Sequence, residues 1–133
     1  RFLKEVELFS NQQYVYLDFN KSKRNKILID DIVYLSSDKQ NGSESNNKQI
    51  HFINRTSETL VDFSFSKMPE KGLPTNQFVT IHKSFRVNKK YIMHYHTKSD
   101  EVEIKVYDKE KKTKTVKLSV SENYQTVIKK IMS

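Results

Sequence analysis

The chain has 133 residues, a formal net charge of +8, no cysteine and only two glycines. Disulfides, thiolate metal sites and cysteine nucleophiles are therefore excluded, as is a glycine-rich phosphate loop, and no apolar run approaches the roughly 20 residues of a membrane-spanning helix. The length suits one domain, eight Phe and seven Tyr speak against disorder, and the basic excess favours nucleic acid or an anionic membrane surface as partner.

Residues 1–13 read as a lead-in, and the start at Arg1 predicts that a receiver or membrane-anchored part precedes it. From Tyr14 the period is two. Val15, Leu17 and Phe19 alternate with Tyr14, Tyr16 and Asp18, which predicts a half-buried strand. Residues 20–25 are a polar turn. The apolar runs 27–29 and 32–35 are split by Asp30 and Asp31. Residues 36–48, rich in Ser, Asn, Asp and Lys, cannot build a packed element and read as a long solvated loop. Such loops on a rigid scaffold often carry function, and a disordered insertion is the plain alternative.

Residues 50–53 and 59–63 form an expected hairpin around 54–58. Ser64 is placed to cap a helix of about one turn, with Phe65 and Met68 facing inward. Pro69 ends it, because it lacks an N–H and clashes with the preceding turn. Strands are expected at 78–81 and 91–96. Val102, Ile104 and Val106, then Val116, Leu118 and Val120, alternate with polar residues, so the charged segment 108–114 joins two strands of a hairpin. At the C-terminus the period changes. Tyr124, Val127, Ile128, Ile131 and Met132 share one face of an amphipathic helix, its start capped by Ser119 with Glu122 or by Ser121 alone. The expected fold is mainly β, with a short middle helix and a C-terminal helix.

Charge is not evenly spread. Residues 81–117 hold eleven Lys/Arg against five Asp/Glu, an excess of six. Within them lies the most distinctive stretch of the chain, 78–92: Phe-Val-Thr-Ile-His-Lys-Ser-Phe-Arg-Val-Asn-Lys-Lys-Tyr-Ile.

This stretch resembles the LytTR family of bacterial DNA-binding domains, whose pattern reads F-x-R-I-H-R-S-[FY]-x-V-N-x-x-x-I. Phe78, Ile81, His82, Ser84, Phe85, Val87, Asn88 and Ile92 match in place. Lys83 stands where Arg or Asn is usual, and Thr80 replaces an Arg. Upstream, 26–37 (KILIDDIVYLSS) is similar to the family's Asp-Asp segment, and Leu73-Pro74 to the end of its short helix. Downstream, Leu118-Ser119-Val120-Ser121 with Tyr124 is similar to its terminal segment. The resemblance spans roughly 14–132.

The resemblance implies an elongated fold of small antiparallel sheets that grips double-stranded DNA by loops in successive major grooves. The partner would be a duplex, with a second copy expected on a direct-repeat site. A cytoplasmic transcription regulator in a two-component system is implied, and neither catalytic residues, cofactor, metal nor small-molecule substrate is expected. Three segments carry side chains that can neutralise phosphates and read base edges. The first is the 36–48 loop, with Lys39, Gln40, Asn46, Asn47 and Lys48. The second follows His82, with Lys83 foremost and Lys89 and Lys90 nearby. The third is 121–123, with Ser121 and Asn123, where backbone N–H groups can also meet a phosphate.

Glu122 departs from the family, which usually places Arg there. A carboxylate repels phosphate, though it can accept from cytosine N4. Either the specificity differs, or Glu122 serves the helix cap, or the domain has become a protein-interaction module that has lost DNA.

Other residues have plain readings. Three Asn-x-Ser/Thr triplets, at Asn20, Asn41 and Asn54, arise by chance in so Lys-, Asn- and Ser-rich a chain. His94 and His96 share a strand face as some metal ligands do, but no further ligand completes the set in the sequence. His82 lacks a nucleophile partner and is expected to be a hydrogen-bonded, partly buried imidazole. Asp30-Asp31 suits a strand end and turn cap better than a carboxylate pair.

Overall fold

The computed structural model describes residues 13–37, 47–108, 110 and 112–132. Among these, the strands are β1 (Tyr14–Leu17), β2 (Asn25–Leu28), β3 (Ile32–Ser37), β4 (Lys48–Phe52), β5 (Glu58–Leu60), β6 (Phe78–His82), β7 (Phe85–Asn88), β8 (His94–His96), β9 (Glu101–Tyr107) and β10 (Thr113–Ser119), followed by the helix α1 (Gln125–Met132). They form three antiparallel sheets. The central one has the order β5-β4-β3-β7-β6, a second has β10-β9-β8, and β1 pairs with β2.

The central sheet is apolar on both faces. One face packs on the β1–β2 hairpin through Val15, Leu17 and Ile27, and also holds Ile32, Leu35, Phe52, Phe63 and Leu73. The other packs on the three-stranded sheet and α1 through Val102, Ile104, Leu118 and Ile128, and holds Val33, Tyr34, Ile81 and Val87. Strand β3 feeds both cores by means of a bulge. Its register against β4 shifts between Ile32 and Tyr34. The extra residue lets Val33 and Tyr34 face one core while Ile32 and Leu35 face the other. Each fully buried aliphatic side chain stabilises the fold by about 1.5–3 kcal/mol.

Several expectations need correction. Residues 85–88 form a strand, β7, in the interior of the central sheet. The strand expected over 91–96 is confined to His94–His96, because Lys89–Tyr91 makes a 3-10 turn in which the Asn88 side chain accepts from Lys90 N. Phe65–Lys67 is a single 3-10 turn, as Pro69 dictates, but Ser64 makes no side-chain cap bond there. The C-terminal element begins with a 3-10 turn at Glu122–Tyr124, and Ser121 gives it no side-chain cap either. Of the expected helical stripe, Ile128 is buried while Val127 and Met132 are 43% and 38% exposed.

Gly72 closes the turn after Met68 with φ +90°, and a Cβ there would meet Val15 Cγ1 at 2.9 Å. Only glycine fits both the dihedral and the gap.

Candidate nucleic-acid interface

The turn between β6 and β7 is built from His82, Lys83 and Ser84. A second bulge, between Thr80 and His82, precedes it; such bulges re-aim side chains beside a site. The turn is tied from within and from both sides. His82 Nδ1 accepts from the Ser84 amide at 3.1 Å. The Arg86 guanidinium donates to the carbonyls of His82 and Phe85 at 3.0 and 3.1 Å. It also lies 4.0 Å from the centre of the Phe65 ring, and burial pulls its pKa below the ordinary value. On one flank the Ser37 amide donates to the Ser84 carbonyl at 3.0 Å; on the other, the Ser121 amide donates to the Ile81 carbonyl at 2.9 Å.

These last two bonds bring the end of β3, the 83–84 turn and the start of the 122–124 turn together at one end of the central sheet. Ser84 is buried and Lys83 exposed, so the turn projects its cation and hides its hydroxyl residue. Asn123 and Glu122 are also exposed, and Ser121 is half-buried. Ser121 O accepts from Tyr124 N at 2.9 Å, which closes the turn.

The other expected contacts fall elsewhere. Lys39, Gln40 and Asn46 lie outside the described residues. Asn47 is half-buried. Lys48 is a correction: it is the first residue of β4 rather than part of a loop, and it is 7% exposed. Its Nζ donates to the Asn47 carbonyl at 3.3 Å and sits 5.2 Å from the Phe65 ring centre. Its alkyl stem spans apolar surface, as long cationic side chains do.

Lys89 and Lys90 are exposed but do not join Lys83. They stand at the opposite end of β7, a strand length or about 13 Å away. There Lys90 Nζ meets Asp30 Oδ2 at 3.5 Å, and an open groove runs past Asn76, Gln77, both lysines and Ile131. Asp30 is structural. Its Oδ1 accepts from Gln77 Nε2 at 3.1 Å and its carbonyl accepts from the Tyr91 hydroxyl. Burial and the two neighbouring carboxylates raise the Tyr91 pKa.

The histidines sort themselves. His82 is the half-buried, hydrogen-bonded imidazole that its place in the motif suggests. His96 Nε2 meets Glu103 Oε1 at 3.0 Å, and that hydrogen bond holds the Glu103 carboxyl below its usual range. Among the described residues no three of His, Asp and Glu are grouped to hold a metal ion. Sequence reasoning missed Arg86, whose spacing from His82 is unremarkable but whose position over Phe65 braces the turn.

A family model described as the LytTr DNA-binding domain matches residues 22–133. Among solved structures, the chain is similar to one described as the LytTr DNA-binding domain of a methyl-accepting/DNA response regulator from Bacillus cereus. The TM-score is 0.58 at 16% identity, covering 92% of this chain and 99% of that one. At that identity the likeness is one of fold. No curated protein matches the chain.

Proposed function

The chain belongs to the LytTr DNA-binding domain family, and from that premise we propose that it binds double-stranded DNA sequence-specifically, as the output domain of a transcription regulator. Lys83 and the 121–123 turn would enter a major groove, and the loop between β3 and β4, with Lys39, Gln40, Asn46 and Asn47, would follow the duplex beside them. Lys89 and Lys90, a strand length away, suit a separate phosphate contact. Base reading needs polar side chains held in fixed register, because each good bidentate pair gives only about 1–3 kcal/mol of discrimination.

One observation carries this reading. The bonds from Ser37 N to Ser84 O and from Ser121 N to Ile81 O gather three connecting segments at one sheet end. There Lys83 and Asn123 are exposed. The second reading, a protein-interaction domain that has lost DNA, rests on Glu122, which is exposed in this same cluster. Among the described residues no helix is long and apolar enough to cross a membrane. A regulator acting on DNA would work in the cytoplasm with a receiver or sensor part supplying its signal, two copies occupying a direct repeat.

Selection of bound duplexes from a random pool tests the proposal. A consensus of two short boxes about one helical turn, roughly 10 base pairs, apart is expected. Affinity for that consensus should fall steeply as salt rises. Retention of no duplex at low salt would leave the protein-interaction reading; retention without enrichment would remove the sequence-specific part.

A further inference from the structure

Between the β4 side of the central sheet and the β9–β10 hairpin lies a cavity of about 340 Å³. Flat rings supply much of its wall. Tyr34, His51 and Tyr107 line it, with Val116 and Lys114 contributed by β10; Phe52 borders it too, but its ring packs in the core on the other face of the sheet. Tyr34 and His51 stack with their ring centres 4.0 Å apart and their planes within 5°. His51 Nε2 shares a hydrogen bond with Ser36 Oγ at 3.1 Å, which fixes the orientation of the imidazole.

Tyr34 is 8% exposed. None of the described residues forms a hydrogen bond to its hydroxyl. Since no fully buried side-chain polar atom among them lacks a partner, this hydroxyl keeps some solvent contact, and Tyr34 lines the cavity. Burial raises Tyr34 to about 12 and lowers His51 to about 4, with the charge of Lys114 adding to the second effect. At neutral pH the wall therefore presents a protonated phenol, a neutral imidazole and one cation. Lys114 is exposed and makes no ion pair among the described residues. Asp108 also borders the cavity, but its Oδ1 accepts from the Glu110 and Lys112 amides at 2.8 and 3.1 Å and so serves the hairpin turn.

We propose that this cavity is a binding site for a small aromatic anion, a one- or two-ring carboxylate whose ring lies among Tyr34, His51 and Tyr107 and whose carboxylate meets Lys114. Ligand cavities run from about 300 to 1,000 Å³ and combine apolar walls with a few placed polar groups. This one stands at the small end of that range. The aromatic lining rewards a ring, since aromatic pairs gain beyond their buried area. The single cation rewards a carboxylate, since a charge-assisted hydrogen bond is about twice as strong as a neutral one. An aliphatic acid forgoes the first gain and an aromatic amide the second. No residue of the Lys83 turn lines the site, and its occupancy does not depend on DNA being the partner.

The test is a titration of the isotope-labelled 133-residue chain with 2-naphthoate, 2-naphthamide and hexanoate, followed by amide NMR. Saturable shifts centred on His51, Ser57 and Lys114 are expected with 2-naphthoate, at an affinity about tenfold above that of either control. Lys114→Gln should weaken 2-naphthoate about tenfold and leave 2-naphthamide unchanged. This exposed substitution leaves the fold intact, so the amide serves as the control for cavity shape. Tyr34→Phe should weaken 2-naphthoate by roughly threefold to tenfold. Equal affinity for acid and amide, indifference to Lys114→Gln, shifts scattered over the basic surface, or no saturation by roughly 5 mM would each overturn the proposal.

Discussion

The Asn88 side chain donates to the Ile32 carbonyl at 2.9 Å, joining two positions 56 residues apart in the interior of the molecule. Asn88 is completely buried. Its Oδ1 accepts from the Lys90 amide at 3.1 Å, which starts the 3-10 turn after β7. Ile32 is the bulged end of β3, where the ladder cannot satisfy every carbonyl, and the asparagine amide fills that place.

Asn88→Ala should therefore be among the most damaging polar-to-apolar changes in the chain. It strands a buried carbonyl and a turn amide, each costing about 1–3 kcal/mol. Urea denaturation should show a loss of roughly 2–4 kcal/mol with an unchanged slope. A loss under about 0.5 kcal/mol, the usual surface value, would mean that water replaces the amide.

Lys83→Ala should weaken binding to a selected duplex by about 10- to 100-fold and weaken random duplex much less, if the side chain reads a base edge. The comparison is made at one salt concentration by fluorescence anisotropy. Equal losses on both duplexes, with the salt slope reduced by about one, would restrict Lys83 to a phosphate.

Glu122 stands in the first turn of the C-terminal element, where a carboxylate favours the helix dipole. Glu122→Arg should cost up to about 1 kcal/mol in thermal or urea stability. It should also tighten binding to any duplex and steepen the salt dependence by about one to two. Unchanged duplex affinity would place the 121–123 turn away from DNA.

His51 gives the fold a pH dependence of known sign. The unfolded imidazole takes up its proton near pH 6.5, whereas in the folded chain burial, assisted by Lys114, delays this to about 4. Between those values the unfolded state holds more protons, so stability falls as pH drops through that window and levels off below it. The loss should reach about 3 kcal/mol. His51→Gln, which keeps a hydrogen-bond partner for Ser36, should flatten the profile between pH 6.5 and 4 in denaturation curves. A slope that persists would have to come from another group.

Much of this architecture was legible wherever apolar residues alternate. Val15, Leu17 and Phe19, and later Val102, Ile104 and Val106, lie buried as their spacing dictates. Strand β7 escaped notice because Arg86 and Asn88 interrupt its pattern; one braces the turn over Phe65 and the other is an internal hydrogen-bonding post. Composition marks Lys48 as a loop cation and cannot reveal that its stem is covered. The motif marks the Lys83 and 121–123 segments, and only the Ser37, Ser84, Ile81 and Ser121 main-chain bonds reveal that they meet. Those bonds involve no side chain and leave no trace in residue identity. The same is true of the distance between Lys83 and Lys89, which looks short along the chain but spans a full strand.

The bulged strand β3 sends Ile32 and Leu35 to one core and Val33 and Tyr34 to the other. Neither outer layer can therefore peel away without exposing side chains rooted in the same backbone. The molecule should melt in one step, and the amides of β3 should be the last to exchange with deuterium. A duplex that pressed on the 83–84 turn would thus push against an abutment that yields only when everything yields.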